Sequence, residues 1–490
     1  MSSLNRIAAF MLAGLVVALA GCQTVERARE AQKAVAVATN DVTVAVATNR
    51  VMLRGFKLAD YVAFATTNRP NLEVSRLAVS NAVVELLVVT SDRSLQLDFT
   101  GGYSQSTHNS GANREHFSWH QGRGNATAGF NFELLLYDFG RLDAREQKAR
   151  EQLMAAQRDL ADAELTVFNE VSQAYFKLLQ NDALLEVART NEFMHAEHLR
   201  QSEQLFGVGE AKKLDVLKAR VDLSDARLST INASNDVITA EAEFLRSLGL
   251  ECDRARRDEV LAVATDCLAE GTNVLSVTTF SAAEALALAR TNSPSLAALR
   301  ARLRAAVSEV DYAVADLKPN ISLSSAFNFV DPAWNWSWGI QAVQSLLDGY
   351  RKELTVKTAV ISMESARASL ESAEQKLSYE LAVATANRDN ARQSLATARI
   401  EVEQAQENFE NVMMQYRVGD ASRLDFTDAV GALASALGVR VKAFYSAEIA
   451  EAELVRLIGR DPWRQPPPIV PDKDKNYYEY YYETLLELLK

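Results

Sequence analysis

Few residues in this chain are suited to chemistry. Its 490 residues include five histidines and three cysteines. His108, His116 and His120 fall in one polar, Gly-containing stretch, Ser104 to Gly124. A metal site and a solvated loop compete there, and the loop is the simpler reading. His195 and His198 are one helical turn apart, a spacing that lets two imidazoles face one ion, but no third ligand accompanies them. Both read as surface residues of a helix. There is no Gly-rich phosphate loop, no nucleophile elbow and no metalloprotease helix motif. Neither catalysis nor a cofactor is expected, so any work done by this chain draws its energy from a partner.

Cys22 has a more specific setting. Arg6 precedes an apolar run of 14 residues, Ile7 to Ala20. That is too short for a comfortable transmembrane helix and right for the core of an export signal. The run leads into Leu19-Ala20-Gly21-Cys22, which resembles the bacterial lipobox. The resemblance implies cleavage after Gly21, a diacylated Cys22 thiol and a lipid-anchored mature chain. Gln23, rather than Asp, follows the cysteine; by resemblance to the sorting rules of enteric bacteria this implies the outer membrane. Export also permits disulfides. Cys252 and Cys267 lie 15 positions apart in a connector. A bridge there would contribute roughly 3 kcal/mol through loop closure, and two free thiols are the alternative.

The elements that position such residues are read from composition. Lys plus Arg number 52 and Asp plus Glu 64, a net charge of −12 that argues against a nucleic-acid partner. Apolar residues at 48% and charged residues at 24% exclude wholesale disorder. With 20 Gly and 9 Pro in the whole chain, long helices are expected. Beyond the N-terminal run no segment is apolar enough for a membrane-spanning helix, which excludes a multi-span helical protein.

The chain is written twice. Displaced by 210 positions, Asn125, Gly129, Leu136, Asp138 and Arg141 fall on Asn335, Gly339, Leu346, Asp348 and Arg351. At the same offset Val208, Gly209, Ala211, Leu214 and Asp215 fall on Val418, Gly419, Ala421, Leu424 and Asp425, and Gly249 on Gly459. Upstream the offset is 224: Asn68, Pro70 and Leu72 match Asn292, Pro294 and Leu296. The difference is absorbed by the His-containing loop of the first copy. Repeated units at fixed offset mean one supersecondary unit used twice.

Each unit reads as helix, strand, strand, long helix, turn, helix. The first helix carries Asn-x-Pro within its apolar stripe. Leu95, Leu97 and Phe99, then Phe130, Phe132 and Leu134, alternate with polar residues; so do Ile321, Leu323 and Phe327, and Trp334, Trp336, Trp338 and Ile340. Period-two aromatic patterning predicts strands with two unlike faces. Strands of about 10 residues can cross a bilayer when tilted, with Trp favoured at its interfaces. Four strands cannot close a barrel, and open edges are not tolerated in lipid, so several chains must share one. From Leu142 to Phe206 neither Pro nor Gly occurs, predicting a helix about 98 Å long. Leu153, Leu160, Val167 and Ala174 recur every seven residues beside Ala149, Ala156 and Ala163. Met363, Leu370, Leu377 and Ala384 repeat the pattern beside Ala359, Ala366 and Ala373, as coiled-coil packing requires. Phe206-Gly207-Val208-Gly209 and Tyr416-Arg417-Val418-Gly419 then reverse the chain.

Those turns, together with Tyr137-Asp138-Phe139-Gly140-Arg141, Ala174-Tyr175-Phe176-x-Leu178 and the helix ending at Leu248-Gly249, resemble the TolC family of bacterial outer-membrane efflux proteins. The resemblance covers residues 58 to 460, and the lipobox is typical of the lipoprotein branch that works with resistance-nodulation-division pumps. It implies a mainly α protein with a membrane β part: a homotrimer whose chains build one 12-stranded β-barrel on a 12-helix periplasmic tunnel. It implies an exit duct driven by an inner-membrane pump through a periplasmic adaptor. The adaptor contacts map onto Gly207, Val208, Gly209, Val418 and Gly419. The channel constriction maps onto Asp215, Asp425 and Asp428, which as an acidic ring would attract cations. Where the family often has a basic residue holding the closed state, this chain has Ala421, with Arg423 two positions on.

The expected plan is a signal peptide at 1–21, an acylated linker at 22–57, a first repeat at 58–250, a connector at 251–280, a second repeat at 281–460 and a tail at 461–490. Barrel hairpins are expected near 94–138 and 319–346, and tunnel helices near 141–248 and 351–458. Other readings are a type I protein secretion duct and a non-conducting coiled-coil scaffold lipoprotein in the periplasm. Alternating Trp334, Trp336 and Trp338 speak against the scaffold.

Overall fold

The computed structural model describes residues 57–106, 123–209, 212–250, 282–330, 333–345, 347–418 and 420–459. Cys22, Cys252, Cys267, His108, His116, His120, Gly419 and the tail lie outside them.

In chain order the elements are α1 (Leu58–Asn68), α2 (Pro70–Ser91), β1 (Gln96–Ser106), β2 (Arg123–Tyr137), α3 (Arg141–Gly207) and α4 (Lys213–Ser247). The same order then repeats as α5 (Ala282–Asn292), α6 (Pro294–Ala315), β3 (Asn320–Val330), β4 (Ala333–Val343), α7 (Arg351–Val418) and α8 (Arg423–Ile458). The one helix expected before each hairpin is two. Pro at the first position of α2 disfavours helical geometry in the residue before it, and Arg69 is extended at φ −75°, ψ 124°. Ser293 before Pro294 is likewise non-helical.

That break receives the end of the last helix of its own repeat. Gly249 and Gly459 close α4 and α8 with φ of +76° and +73°, a left-handed conformation that favours glycine. A Cβ on Gly249 would meet Arg69 Cα at 3.3 Å, and one on Gly459 would meet the Asn292 carbonyl oxygen at 2.7 Å. The Asn-x-Pro and Leu-Gly motifs are thus two halves of one joint. Beside it, Tyr61 of α1, Tyr175 and Phe176 of α3 and Phe244 of α4 form a buried aromatic cluster. The Tyr61 and Phe244 rings meet edge to face at 5.2 Å.

The Tyr-Asp-Phe-Gly-Arg motif turns β2 into α3. Phe139 and Gly140 both take positive φ, and Asp138 caps the new helix by accepting from the Leu142 N–H at 2.6 Å. Arg141 then pairs with Asp316 after α6 at 3.1 Å, and Lys352 of α7 reaches the same carboxylate at 3.4 Å. This three-residue junction ties the strand ends to α3 and α7.

Helix α3 has 67 residues and α7 has 68, each about 100 Å long at 1.5 Å per residue. Helix α3 packs on α1, α2, α4, α6 and α8, and α7 on α5, α6 and α8. The helices therefore form a wall. Near the sheet its order is α2, α3, α6, α7; toward the turns it is α4, α3, α8, α7. The heptad positions Ala149, Leu153, Val167, Ala359, Leu377 and Ala384 are buried in it.

Candidate functional site

The sheet is a single antiparallel ribbon in the order β1-β2-β3-β4. Its register places Leu97 opposite Phe132 and Phe99 opposite Phe130, then Phe130 opposite Phe327 and Leu134 opposite Leu323. Across the last pair, Phe327 faces Trp336, Phe329 faces Trp334 and Leu323 faces Ile340. Directly opposed residues share a face. One face is therefore apolar and aromatic across all four strands. The other carries Asp98, Asn131, Glu133, Ser324, Asn328, Asn335, Ser337 and Gln341. Trp334, Trp336, Trp338 and Ile340 are each more than half exposed. The Trp336 indole N–H donates to Ser325 Oγ at 3.0 Å, which satisfies its polar atom within the apolar face. Gly129 faces Asn328 so closely that a Cβ would lie 1.9 Å from its Oδ1.

Among the described residues the outer edges of β1 and β4 have no strand partner. The wall is open in the same way. On α4, Leu214, Leu217, Val221, Leu228, Ile231 and Ile238 follow steps of three, four and seven residues, as in a heptad pattern, and each is between 43 and 59% exposed. Val74, Leu77, Val84 and Val88 continue such a seam on the exposed side of α2. A heptad seam facing water is half of a coiled coil. The heptads legible in α3 and α7 have this less obvious counterpart, visible in the spacing from Leu214 onward.

The far end of the wall holds the turns. Gly209 ends the first with φ +83°, its N–H donating to the Phe206 carbonyl at 3.1 Å. At the second turn the Asp420 N–H donates to the Gln415 carbonyl at 2.9 Å. Val208, Val418, Leu214 and Leu424 stand exposed at this end, two from each repeat. Gly207 is the last residue of α3 and leaves the same end free of a side chain.

Of the acidic residues singled out from the sequence, Asp215 and Asp425 sit at equivalent places in the first turns of α4 and α8. Asp425 accepts from the Ser422 N–H at 2.9 Å while Ser422 Oγ accepts from the Asp425 N–H at 3.2 Å. This reciprocal cap, and chiefly the Ser422 side chain, holds the Asp425 carboxyl below its ordinary value. Asp215 accepts from the Lys212 N–H at 3.3 Å. Asp428 is exposed one turn further along α8.

His195 and His198 are not surface residues. They are 8% and 2% exposed, on the face of α3 that also buries Ser202. Polarity suggested solvent, but steps of three and four residues along a helix keep one face, and here that face meets α8. The His198 ring lies 5.1 Å from Phe426 and 5.8 Å from Tyr416, whose hydroxyl is 3.4 Å from His198 Nδ1. Beside them Arg423 of α8 pairs with Asp222 of α4 at 3.0 Å. No sequence pattern links positions so far apart. Arg423 thus joins the two halves of the tip within one chain.

Comparison with known proteins agrees with this architecture. Residues 64–250 and 285–460 match the family described as outer membrane efflux protein. The outer membrane efflux protein BepC of Brucella suis biovar 1 is 23% identical over 347 residues, 69% of this chain and 73% of BepC. CusC, in a crystal structure concerned with folding and transmembrane channel formation, shares the fold with a TM-score of 0.72 at 18% identity, over 84% of this chain and 94% of its own. The outer membrane protein VceC of Vibrio cholerae does so with a TM-score of 0.70 at 16% identity, over 82% and 96%. With the family matched across both repeats, this chain belongs to the outer membrane efflux proteins and is an outer-membrane channel component of an efflux system.

Proposed function

We propose that the chain forms a homotrimeric, passive exit duct, lipid-anchored through Cys22, which an inner-membrane pump drives through a periplasmic adaptor. The observation that carries this reading is a pair of unfinished surfaces. The sheet has one lipid-compatible face and two open edges, and lipid does not tolerate open edges. The wall has an apolar seam on α2 and α4 and a long helix, α7, at its other side. Three copies joined edge to edge remove all of these at once: a 12-stranded barrel above a 12-helix tunnel. β1, β3 and β4 have 11 residues each, about 37 Å, and β2 has 15, so all are long enough to cross an apolar band of about 25 Å when tilted. The polar face, with Asp98 and Glu133, then lines the pore.

At the closed end the first turns of α4 and α8 gather toward the axis. Asp215, Asp425 and Asp428 from three chains form the constriction, where carboxylates attract cations and repel one another. The exposed Val208, Val418 and the neighbouring Gly207, Gly209 and Gly419 meet the hairpin of the adaptor. Cargo diffuses outward once the adaptor dilates this ring. The long, unbroken α3 and α7 transmit that dilation as rigid levers.

Single-channel conductance in a planar bilayer tests the reading. The wild type is expected to show a small, cation-selective conductance. Replacing Asp215, Asp425 and Asp428 together by Ala is expected to raise it and weaken its selectivity. Silence from both proteins, with insertion verified, would overturn the duct in favour of a non-conducting scaffold.

A further inference from the structure

Behind the tip, four helices from the two repeats meet at one buried polar point. Helix α3 contributes His195 and His198, α4 contributes Asp222, α7 contributes Tyr416, and α8 contributes Arg423 and Phe426. His195 Nδ1 and His198 Nε2 are buried without a hydrogen-bond partner. The Tyr416 and Phe426 rings stack at 5.0 Å and close the pocket around His198. An imidazolium at either position would place a charged N–H where no acceptor meets it.

We infer that His195 and His198 form an acid-sensitive joint that binds the α3–α4 hairpin to the α7–α8 hairpin, and that their protonation parts the hairpins and opens the tip. The joint rests on this geometry; that its release opens a duct rests on the function proposed above.

The charges around the pair set the direction. Burial is the largest effect on both histidines and holds each below the ordinary value of 6.5. Arg423 from α8 and His195 from the same helix push His198 further down, while Asp222 from α4 opposes them. From α7 the facing group is Tyr416, whose hydroxyl burial holds uncharged. The nearby charges Arg200 with Glu197, Arg220 with Glu203 and Arg227 with Glu192 are paired among themselves. One carboxylate, Asp222, would therefore face three cations if both imidazoles were charged.

A parted joint returns the histidines to water and to their ordinary value, so the open form binds more protons. The closed form is fully favoured above 6.5 and loses ground as pH falls below it. Between pH 7.5 and 5.5 each histidine shifts the balance toward opening by at most about tenfold, and the pair by at most about 100-fold.

The test combines conductance with a distance. Conductance of the trimer is recorded as the pH on the tip side falls from 7.5 to 5.5, for the wild type and for His195→Gln/His198→Gln. Spin labels at the exposed positions Lys218 and Ala432, with Cys252 and Cys267 replaced by Ser, report the separation of α4 and α8. Both histidines replaced should abolish an acid step that the wild type shows in open probability and in distance. Should that variant fail to fold, His198→Phe keeps the aromatic packing and removes the titrating group that Arg423 faces. An acid step that persists in the double variant, one that His198→Phe does not reduce, or a wild type whose α4–α8 distance ignores pH would overturn the joint. A distance that responds as stated in a protein without conductance would uphold the joint and sink the duct.

Discussion

Replacing Gly459 by Ala should cost more than the same change at two other left-handed glycines, Gly249 and Gly209. Gly459 has φ +73°, where an L-residue loses about 1–2 kcal/mol. Its new Cβ would also lie 2.7 Å from the Asn292 oxygen, 2.9 Å from the Asn292 carbon and 3.0 Å from Ser293 Cα. All three are backbone atoms pinned by the break between α5 and α6, so relief requires shifting a helix, at about 1–3 kcal/mol. The sum is about 3 kcal/mol. At Gly249 the φ is +76° but the nearest atoms stand at 3.3 Å, so about 2 kcal/mol is expected. At Gly209 the φ is +83° with nothing within 4 Å, which leaves the backbone strain of about 1 kcal/mol alone. Urea titrations of the three variants, followed by helical circular dichroism at one fixed protein concentration, give the order directly. Gly209→Ala as damaging as Gly459→Ala would refute the claim that the helix break and the terminal glycine form one joint.

Two further outcomes test the exposed apolar surfaces. Trp338→Arg puts a charge on the apolar face of β4, at about 2–4 kcal/mol if that site lies near the bilayer midplane; the yield of membrane-inserted, heat-stable trimer should fall, while Ser337→Arg on the opposite face should be tolerated. Leu228→Glu with Ile231→Glu should leave the helical signal of the chain intact, since both positions are more than half exposed, yet shift the protein from trimer to monomer on native mass measurement.

Much of this architecture is legible in the residue order. Sheet faces follow from alternation, and the register then aligns Leu97, Phe130, Phe327 and Trp336 on one side, as their spacing within each strand requires. Likewise the repeat offsets of 210 and 224 recur in the elements, with α2 and α6 each 22 residues long. By its equally apolar flanks the Asn-x-Pro segment resembles the inside of one helix; the extended residue before proline outweighs that continuity. The burial of His195 and His198 is hidden for a related reason, since residue type says nothing of position on the helix.

The duplicated unit, the long helices and the two-faced strands are already written in the residue order. These depend on near-neighbour periodicity, which a linear chain displays openly. That Gly459 abuts Asn292, that Arg423 reaches Asp222 and that His198 is enclosed by Tyr416 and Phe426 emerges only once the helices pack. Each of those contacts joins residues from separate helices, and chain spacing carries no record of which helices pack together.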